Sequence, residues 1–385
     1  MSGDMRGDMR GTSSPAGRGT PANGKRSGTV RGSIRVMIVD DSLTVRTIFK
    51  RMVESDRQMI VTGTASSAER AIIQLANTPA DVVLLDLEMP GMGGLEALPQ
   101  ILATSEDVQV LVVSSLTLDG AEHTLAALST GAADTMVKPR PGGFNEDYRG
   151  QLLGKIRALG SSAVEIEAEL APPGDAMRKG TRSGARLLRG KRPEVIAIGA
   201  STGGIHALNL MLRALSPDLD LPIVVTQHLP SSFMPVFARQ IEVASGRRTH
   251  IADDGTPIRK GEIAVATGHG HMVIERRGED LFARLGTDPM PSGCLPSVDP
   301  MFASLAEACE GRALGVILSG MGRDGAEGAA ALHRAGGTIY AQDAETSAVW
   351  GMPGAVAKAD LATLIASPEK LADAIMALVP AAFAR

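Results

Sequence analysis

From residue 34 onward the chain alternates between short apolar runs and longer segments in which apolar residues recur at helical spacing. The runs at 35–39, 82–85, 108–113 and 135–137 are mostly apolar rather than alternating, the pattern of strands covered on both faces. The segments 44–54, 67–77, 94–103, 120–130 and 145–159 follow them with a polar and an apolar side, and predict helices. Strands alternating with helices in this way predict βαβ units in a parallel sheet. The same texture returns at residue 194. Strands are expected at 195–198, 223–226, 314–318 and 338–341, with helices running through Leu215 and through Ala335. The runs 264–266 and 271–274 read as a hairpin. This part is again α/β and mostly parallel.

Two stretches interrupt the pattern. Residues 1–33 are rich in Gly, Ser, Pro, Thr and Arg without apolar periodicity, and are expected to be a disordered tail. Residues 160–192 carry Pro172-Pro173 and a basic run from Arg178 to Arg192, and read as a linker with a short helix at 164–170. The expected organisation is therefore a tail (1–33), one domain (34–159), a linker (160–192) and a second domain (193–385).

Composition narrows the functional classes. The 385 residues are 44% apolar and 21% charged, enough for two buried cores. Aromatics at 3% leave no stacking platform for single-stranded nucleic acid, and a net charge of −4 favours no polyanion, so no nucleic acid is expected as a partner. Two cysteines cannot build a disulfide framework or a Cys-rich zinc site. No apolar run reaches the roughly 18 residues of a membrane span, so no membrane insertion is expected. The N-terminus lacks the apolar core of a secretory signal, and the expected setting is cytoplasmic.

Ligands of an open parallel sheet bind beyond the C-terminal ends of its strands. In the first domain those ends carry Asp40, Asp41, Asp86, Ser114 and Lys138. Three converging carboxylates repel one another, and an all-oxygen set of this kind suits Mg2+. Lys138 and Ser114 would complete a phosphoryl pocket, with Asp86 as the phosphoryl acceptor. These residues, with Met89-Pro90-Gly91-Met92 after Asp86 and Pro139 after Lys138, resemble a response-regulator receiver domain, a flavodoxin-like doubly wound parallel sheet. The resemblance implies phosphorylation of Asp86 by a histidine kinase. It also implies Mg2+ held by Asp41, Asp86 and the main-chain carbonyl of Glu88, with help from Asp40. Thr135 departs from the aromatic common at its position.

In the second domain, Gly199-Ala200-Ser201-Thr202-Gly203 fits G-x-S-x-G between a strand and a helix, a turn that exposes a serine hydroxyl above the sheet. His228 ends the next strand and is a candidate general base. Asp324, in a glycine-rich loop after a further strand, is a candidate to orient it. Backbone N–H groups around Gly320, Met321 and Gly322 are candidates for an oxyanion hole. Dinucleotide binding fits poorly: Ser201 stands at the second glycine of G-x-G-x-x-G, and His228 stands where a ribose-binding acid belongs.

The runs Ile198-Gly199-Ala200-Ser201-Thr202-Gly203-Gly204, Thr226-Gln227-His228, Pro296-Ser297-Val298-Asp299, Leu318-Ser319-Gly320-Met321-Gly322-Arg323-Asp324-Gly325, Ala341-Gln342-Asp343 and Gly351-Met352-Pro353 together resemble the chemotaxis protein-glutamate methylesterase family, CheB. The resemblance implies a doubly wound α/β methylesterase domain with a Ser201–His228–Asp324 triad and no cofactor. Met321 and Thr202 would shape the oxyanion site. It further implies hydrolysis of glutamate 5-methyl esters, and deamidation of glutamines, on methyl-accepting chemoreceptors. The receiver would gate that activity. Thr267-Gly268 replaces the Pro-Gly common in one loop.

Overall fold

The computed structural model describes residues 33–105, 107–114, 118–139, 143–160 and 192–378. The expected tail, apart from Ser33, and the expected linker with its short helix, apart from Gly160 and Arg192, lie outside the described residues.

The N-terminal half is a five-stranded sheet of β1 (Ile34–Val39), β2 (Met59–Ala65), β3 (Val82–Asp86), β4 (Gln109–Ser114) and β5 (Asp134–Val137), ordered β2-β1-β3-β4-β5 and parallel throughout. Helices α1 (Leu43–Glu54), α2 (Ala68–Asn77), α3 (Gly93–Leu102), α4 (Leu118–Thr130) and α5 (Glu146–Gly160) connect and cover it. Successive residues of a strand point to opposite faces, and both faces are dry here. Val36 and Ile38 join one apolar cluster, Met37 and Val39 another. Strand β2 is a strand that the apolar runs did not reveal. It is an edge strand, its residues between Met59 and Ala65 are partly exposed, and Thr62, Gly63 and Thr64 dilute its apolar signal.

The C-terminal half is built on β6 (Val195–Ala200), β7 (Ile223–Gln227), β8 (Thr249–Ala252), β9 (Pro257–Ile258), β10 (Ile263–Ala266), β11 (His271–Arg277), β12 (Asp280–Gly286), β13 (Ala313–Ile317), β14 (Thr338–Gln342) and β15 (Leu364–Ala366). Seven of these form a parallel sheet in the order β15-β14-β13-β6-β7-β10-β8. Helices α6 (Gly204–Ala214), α7 (Met234–Ser245), α8 (Val298–Ala308), α9 (Ala326–Arg334), α10 (Met352–Lys358) and α11 (Pro368–Leu378) accompany it. Ile196 and Ile198 face one cluster, Val195 and Ala197 the other, so this sheet too is covered on both sides.

One expectation is corrected. Residues 264–266 and 271–274 do not form a hairpin. The first run is β10, wholly buried between β7 and β8 in the parallel sheet. The second belongs to β11, which pairs antiparallel with β12 in a separate three-stranded sheet, β11-β12-β9. The burial patterns explain it: β10 is apolar at every position, as an interior strand requires, whereas β11 is buried at one end and exposed at the other.

The strand order reverses around β6, whose neighbours are β13 and β7. Such a switch point opens a crevice at the carboxyl ends of the strands. Among the described residues no helix is long and apolar enough to cross a membrane.

Candidate functional site

At the carboxyl edge of the N-terminal sheet, Asp40 follows β1 and Asp86 ends β3. Both are buried, while the neighbouring Asp41 is exposed. One carboxylate oxygen from each lies within 4.8 Å of the others. Asp40 Oδ1 accepts the Ser42 amide at 2.8 Å, and Asp86 Oδ1 accepts the Glu88 amide at 3.1 Å, which orients both groups. Lys138, after β5, places Nζ 2.7 Å from Asp40 Oδ2 and 2.7 Å from Asp86 Oδ2. One ammonium thus pairs with two of the three clustered carboxylates. Burial raises the Asp86 carboxyl, Lys138 opposes the rise, Asp40 adds to it, and the pKa is pushed up to about 6. Burial lowers the Lys138 ammonium, but its hydrogen bonds to Asp40 and Asp86 prevail and hold it above the usual lysine value. The excess of buried negative charge and the all-oxygen donor set fit a hard divalent cation.

The hydroxyls of Ser114 and Thr135 face inward. Ser114 ends β4 fully buried, and its hydroxyl lies 2.5 Å from Thr124 Oγ1 of α4. The Thr135 hydroxyl, at the position noted for lacking an aromatic, is buried without a hydrogen-bond partner.

In the C-terminal half, Ala200 pairs with Gln227 across β6 and β7, so Ser201 and His228 follow side by side at two adjacent strand ends. The turn after Ser201 depends on Gly203, whose φ of 75° favours glycine and whose missing Cβ would lie 2.6 Å from Ala348 Cβ and Ser319 Oγ. Ser201 is fixed through its backbone: its N–H donates to Ser319 O at 3.0 Å and its carbonyl accepts Gln227 Nε2 at 2.9 Å. Its hydroxyl makes no hydrogen bond to His228 among the described residues.

Asp324 lies deep beside His228. Its Oδ2 accepts His228 Nε2 at 2.8 Å and the Val298 amide at 2.7 Å, and its Oδ1 accepts the Ser297 hydroxyl at 2.6 Å. Because an ionised carboxylate only accepts, Nε2 carries a proton and Nδ1 is the free basic position when the ring is neutral. Burial raises the Asp324 carboxyl, but the hydrogen bonds from His228, Ser297 and Val298 outweigh it and hold the group below the usual range. Burial lowers the His228 imidazole, yet the hydrogen bond to Asp324 and the neighbouring Cys294 prevail and push it up to about 9. Asp299, two residues after the helix-capping Ser297, is raised to about 6 by burial, with Gly328 opposing and Asp324 adding.

The loop expected to supply oxyanion donors is partly committed elsewhere. The Gly320 amide donates to Val349 O at 3.0 Å, whereas the amides of Met321 and Thr202 donate to no described group. Met321 is exposed at the rim.

The two halves meet over this crevice. The Gly203 amide donates to Ala133 O at 2.5 Å, and Thr202 Oγ1 donates to Asp134 Oδ2 at 2.5 Å. Lys155 is the second partner of Asp134 Oδ2. Around Ser129 at the end of α4, the His206 Nδ1 donates to Ser129 O at 3.1 Å, Asn209 Nδ2 donates to Ser129 Oγ at 3.0 Å, and that hydroxyl donates to Gln240 Oε1 at 3.1 Å. The cavity left between Ser201 and His228 on one side and Leu128, Ala132, Ala133 and Asp134 on the other is about 10 Å3. That is room for one water and no more. Thr202 and Gly203 stood in the recognised turn, but nothing in the sequence marked Ala133, Asp134, Ser129, His206, Asn209 or Gln240 as partners across the crevice. Ser297, the anchor of Asp324, stood inside a recognised run without an assigned role.

Comparison with known proteins agrees with this architecture. Residues 196–375 match the CheB methylesterase family, and residues 36–143 match the response regulator receiver domain. The chain is 41% identical over 354 residues to a protein-glutamate methylesterase/protein-glutamine glutaminase of Rhodospirillum rubrum, covering 86% of this chain and 92% of that one. It is 42% identical over 335 residues to one of Caulobacter vibrioides, covering 86% and 95%. The solved catalytic domain of the Thermotoga maritima CheB methylesterase is 31% identical, covers 49% of this chain and all of that one, and superposes with a TM-score of 0.48.

Proposed function

Because the chain belongs to the protein-glutamate methylesterase/protein-glutamine glutaminase family and carries a receiver domain, we propose that Ser201, His228 and Asp324 form its hydrolytic triad and that Asp86 switches it. The receiver would span 34–159 and the esterase 193–385, joined by 160–192. The substrates are glutamate 5-methyl esters and selected glutamines on methyl-accepting chemoreceptors, reached in the cytoplasm.

The observation that carries this reading is the His228–Asp324 pair, 2.8 Å apart and desolvated, beside the strand end that bears Ser201. Asp324 orients the ring and stabilises its charged form. His228 takes the hydroxyl proton as Ser201 Oγ attacks the side-chain carbonyl, then passes it to departing methanol or ammonia. Water, activated by the same ring, hydrolyses the glutamyl ester of Ser201. The free amides of Thr202 and Met321 are the donors for the oxyanion.

In the receiver, Asp40, Asp41 and Asp86 with the Glu88 carbonyl would hold Mg2+, which when bound neutralises charge at the phosphoryl oxygens. Lys138 pairs with the phosphoryl group, and Ser114 joins it once its contact with Thr124 is released. A histidine kinase is the donor. A gap of about 10 Å3 does not admit a glutamyl side chain, so the packing of Ala133 and Asp134 against Thr202 and Gly203 is the inhibited arrangement. Phosphorylation shifts the population away from it.

Methanol release from a methylated receptor fragment tests the proposal, with wild type and Ser201→Ala each assayed with and without a small-molecule phosphodonor and Mg2+. Release by wild type that is lost in Ser201→Ala and raised by the donor is expected. Release indifferent to Ser201→Ala refutes the nucleophile. Release indifferent to the donor refutes the switch.

A further inference from the structure

Cys294 has no part in the hydrolytic scheme, yet it sits against the centre of it. Its thiol donates to the nearby Ser292 carbonyl at 3.8 Å. One ligand atom each from Cys294, His228 and Asp324 lies within 4.8 Å of the others. A sulfur, an imidazole nitrogen and a carboxylate oxygen form a three-ligand set of the kind that zinc takes in sites with one open position. Ligand atoms around a tetrahedral zinc stand about 3.5 Å apart, so a movement of about 1 Å closes the set.

The surroundings suit that movement. Cys294 follows a turn in which the Gly293 amide donates to Met290 O at 2.9 Å, and it is partly exposed. Asp324, by contrast, is already aimed by Ser297 and Val298, the outer hydrogen bonds that orient a ligating carboxylate.

We propose that Cys294, His228 and Asp324 bind a soft divalent transition-metal cation, Zn2+ being the type, and that the bound ion holds the esterase inactive. On binding, the thiol and the charged His228 ring each lose a proton to solvent, and the ion takes the place of the His228–Asp324 hydrogen bond. A neutral imidazole has one lone pair; once the ion holds it, His228 has none with which to receive the Ser201 proton. The binding half of this proposal stands on the cluster alone, and the inhibitory half rests on the triad reading.

The full-length protein, activated with phosphodonor and Mg2+, is titrated with Co2+ as the spectroscopic probe and with Zn2+ in the methanol-release assay. Cobalt is expected to develop a sulfur-to-metal charge-transfer band at one equivalent. Zinc abolishes the band, and Cys294→Ser or Cys294→Ala removes it. The receiver cluster holds only oxygen donors, and Cys309 is buried elsewhere and retained in both variants. Zinc is expected to suppress methanol release reversibly, a chelator restoring it. With each protein normalised to its own zinc-free rate, loss of the sulfur raises the half-inhibiting concentration about tenfold or more. No band, or a band that survives both variants, overturns the site. A band with undiminished methanol release overturns the inhibitory half. Failure of the triad reading is separate, since it appears as Ser201→Ala activity in the absence of zinc.

Discussion

Removing the Asp134 carboxylate is expected to raise the basal esterase rate without altering any group of the triad. Asp134 Oδ2 receives the Thr202 hydroxyl across the two halves and Lys155 within its own half. Only the first of these bonds distinguishes the closed from the open arrangement, and Lys155, about a quarter exposed, keeps access to water. A hydrogen bond to a charged group contributes about 1.5–3 kcal/mol net. At 1.4 kcal/mol per factor of ten, its loss lowers the closed-to-open ratio roughly 10- to 100-fold. If closure limits the basal rate, Asp134→Ala raises methanol release by that factor, up to the ceiling reached by wild type with phosphodonor. Asp134→Asn keeps an acceptor but no charge, and a neutral bond contributes about 0.5–1.5 kcal/mol, so its rate lies between the two. The assay is initial methanol release by full-length protein without donor, repeated with donor to fix the ceiling. A basal rate unchanged in Asp134→Ala, with donor stimulation intact, refutes the contact as part of the inhibited state.

Three further outcomes follow from the same geometry. His228 must be neutral to accept a proton, and its pKa is pushed up to about 9, so methanol release without donor rises with pH across the range from 7 to 9; a midpoint at or below the ordinary 6.5 contradicts this. Asp86 is raised from 3.8 to about 6 by burial, so the stability present below the lower value is lost as pH climbs through the upper one, at a cost of up to about 3 kcal/mol at pH 7. Asp86→Asn therefore raises the thermal midpoint at pH 7 without Mg2+, by less than that limit because its pairing with Lys138 weakens; the gain vanishes near pH 4, and a fall at pH 7 refutes it. Gly203→Ala places a side chain at φ 75° and 2.6 Å from two atoms, costs about 1–2 kcal/mol for the backbone alone, and lowers both melting temperature and kcat; a wild-type midpoint is the refuting result.

What the sequence determined by itself is local. An apolar run ending in Asp86, in Ser201 or in His228 is legible because strand burial is written in consecutive residues, and a parallel sheet delivers whatever follows its strands to one edge. Strand β10 was legible as a strand for the same reason, but its partner was not: hairpin pairing with 271–274 is short in sequence, and only the packed sheet seats it between β7 and β8. Strand β2 escaped because its exposed edge demands no continuous apolar run. The tertiary structure alone decided which groups touch. His228 and Asp324 are 96 residues apart, and the Ser297 hydroxyl that aims Asp324 arrives from another loop. The closure of the crevice by Ala133 and Asp134, and the thiol of Cys294 near the imidazole, likewise depend on surfaces that are distant in sequence and meet only in the packed structure. Local periodicity specifies which side of an element is buried; it carries no term for the surface that buries it.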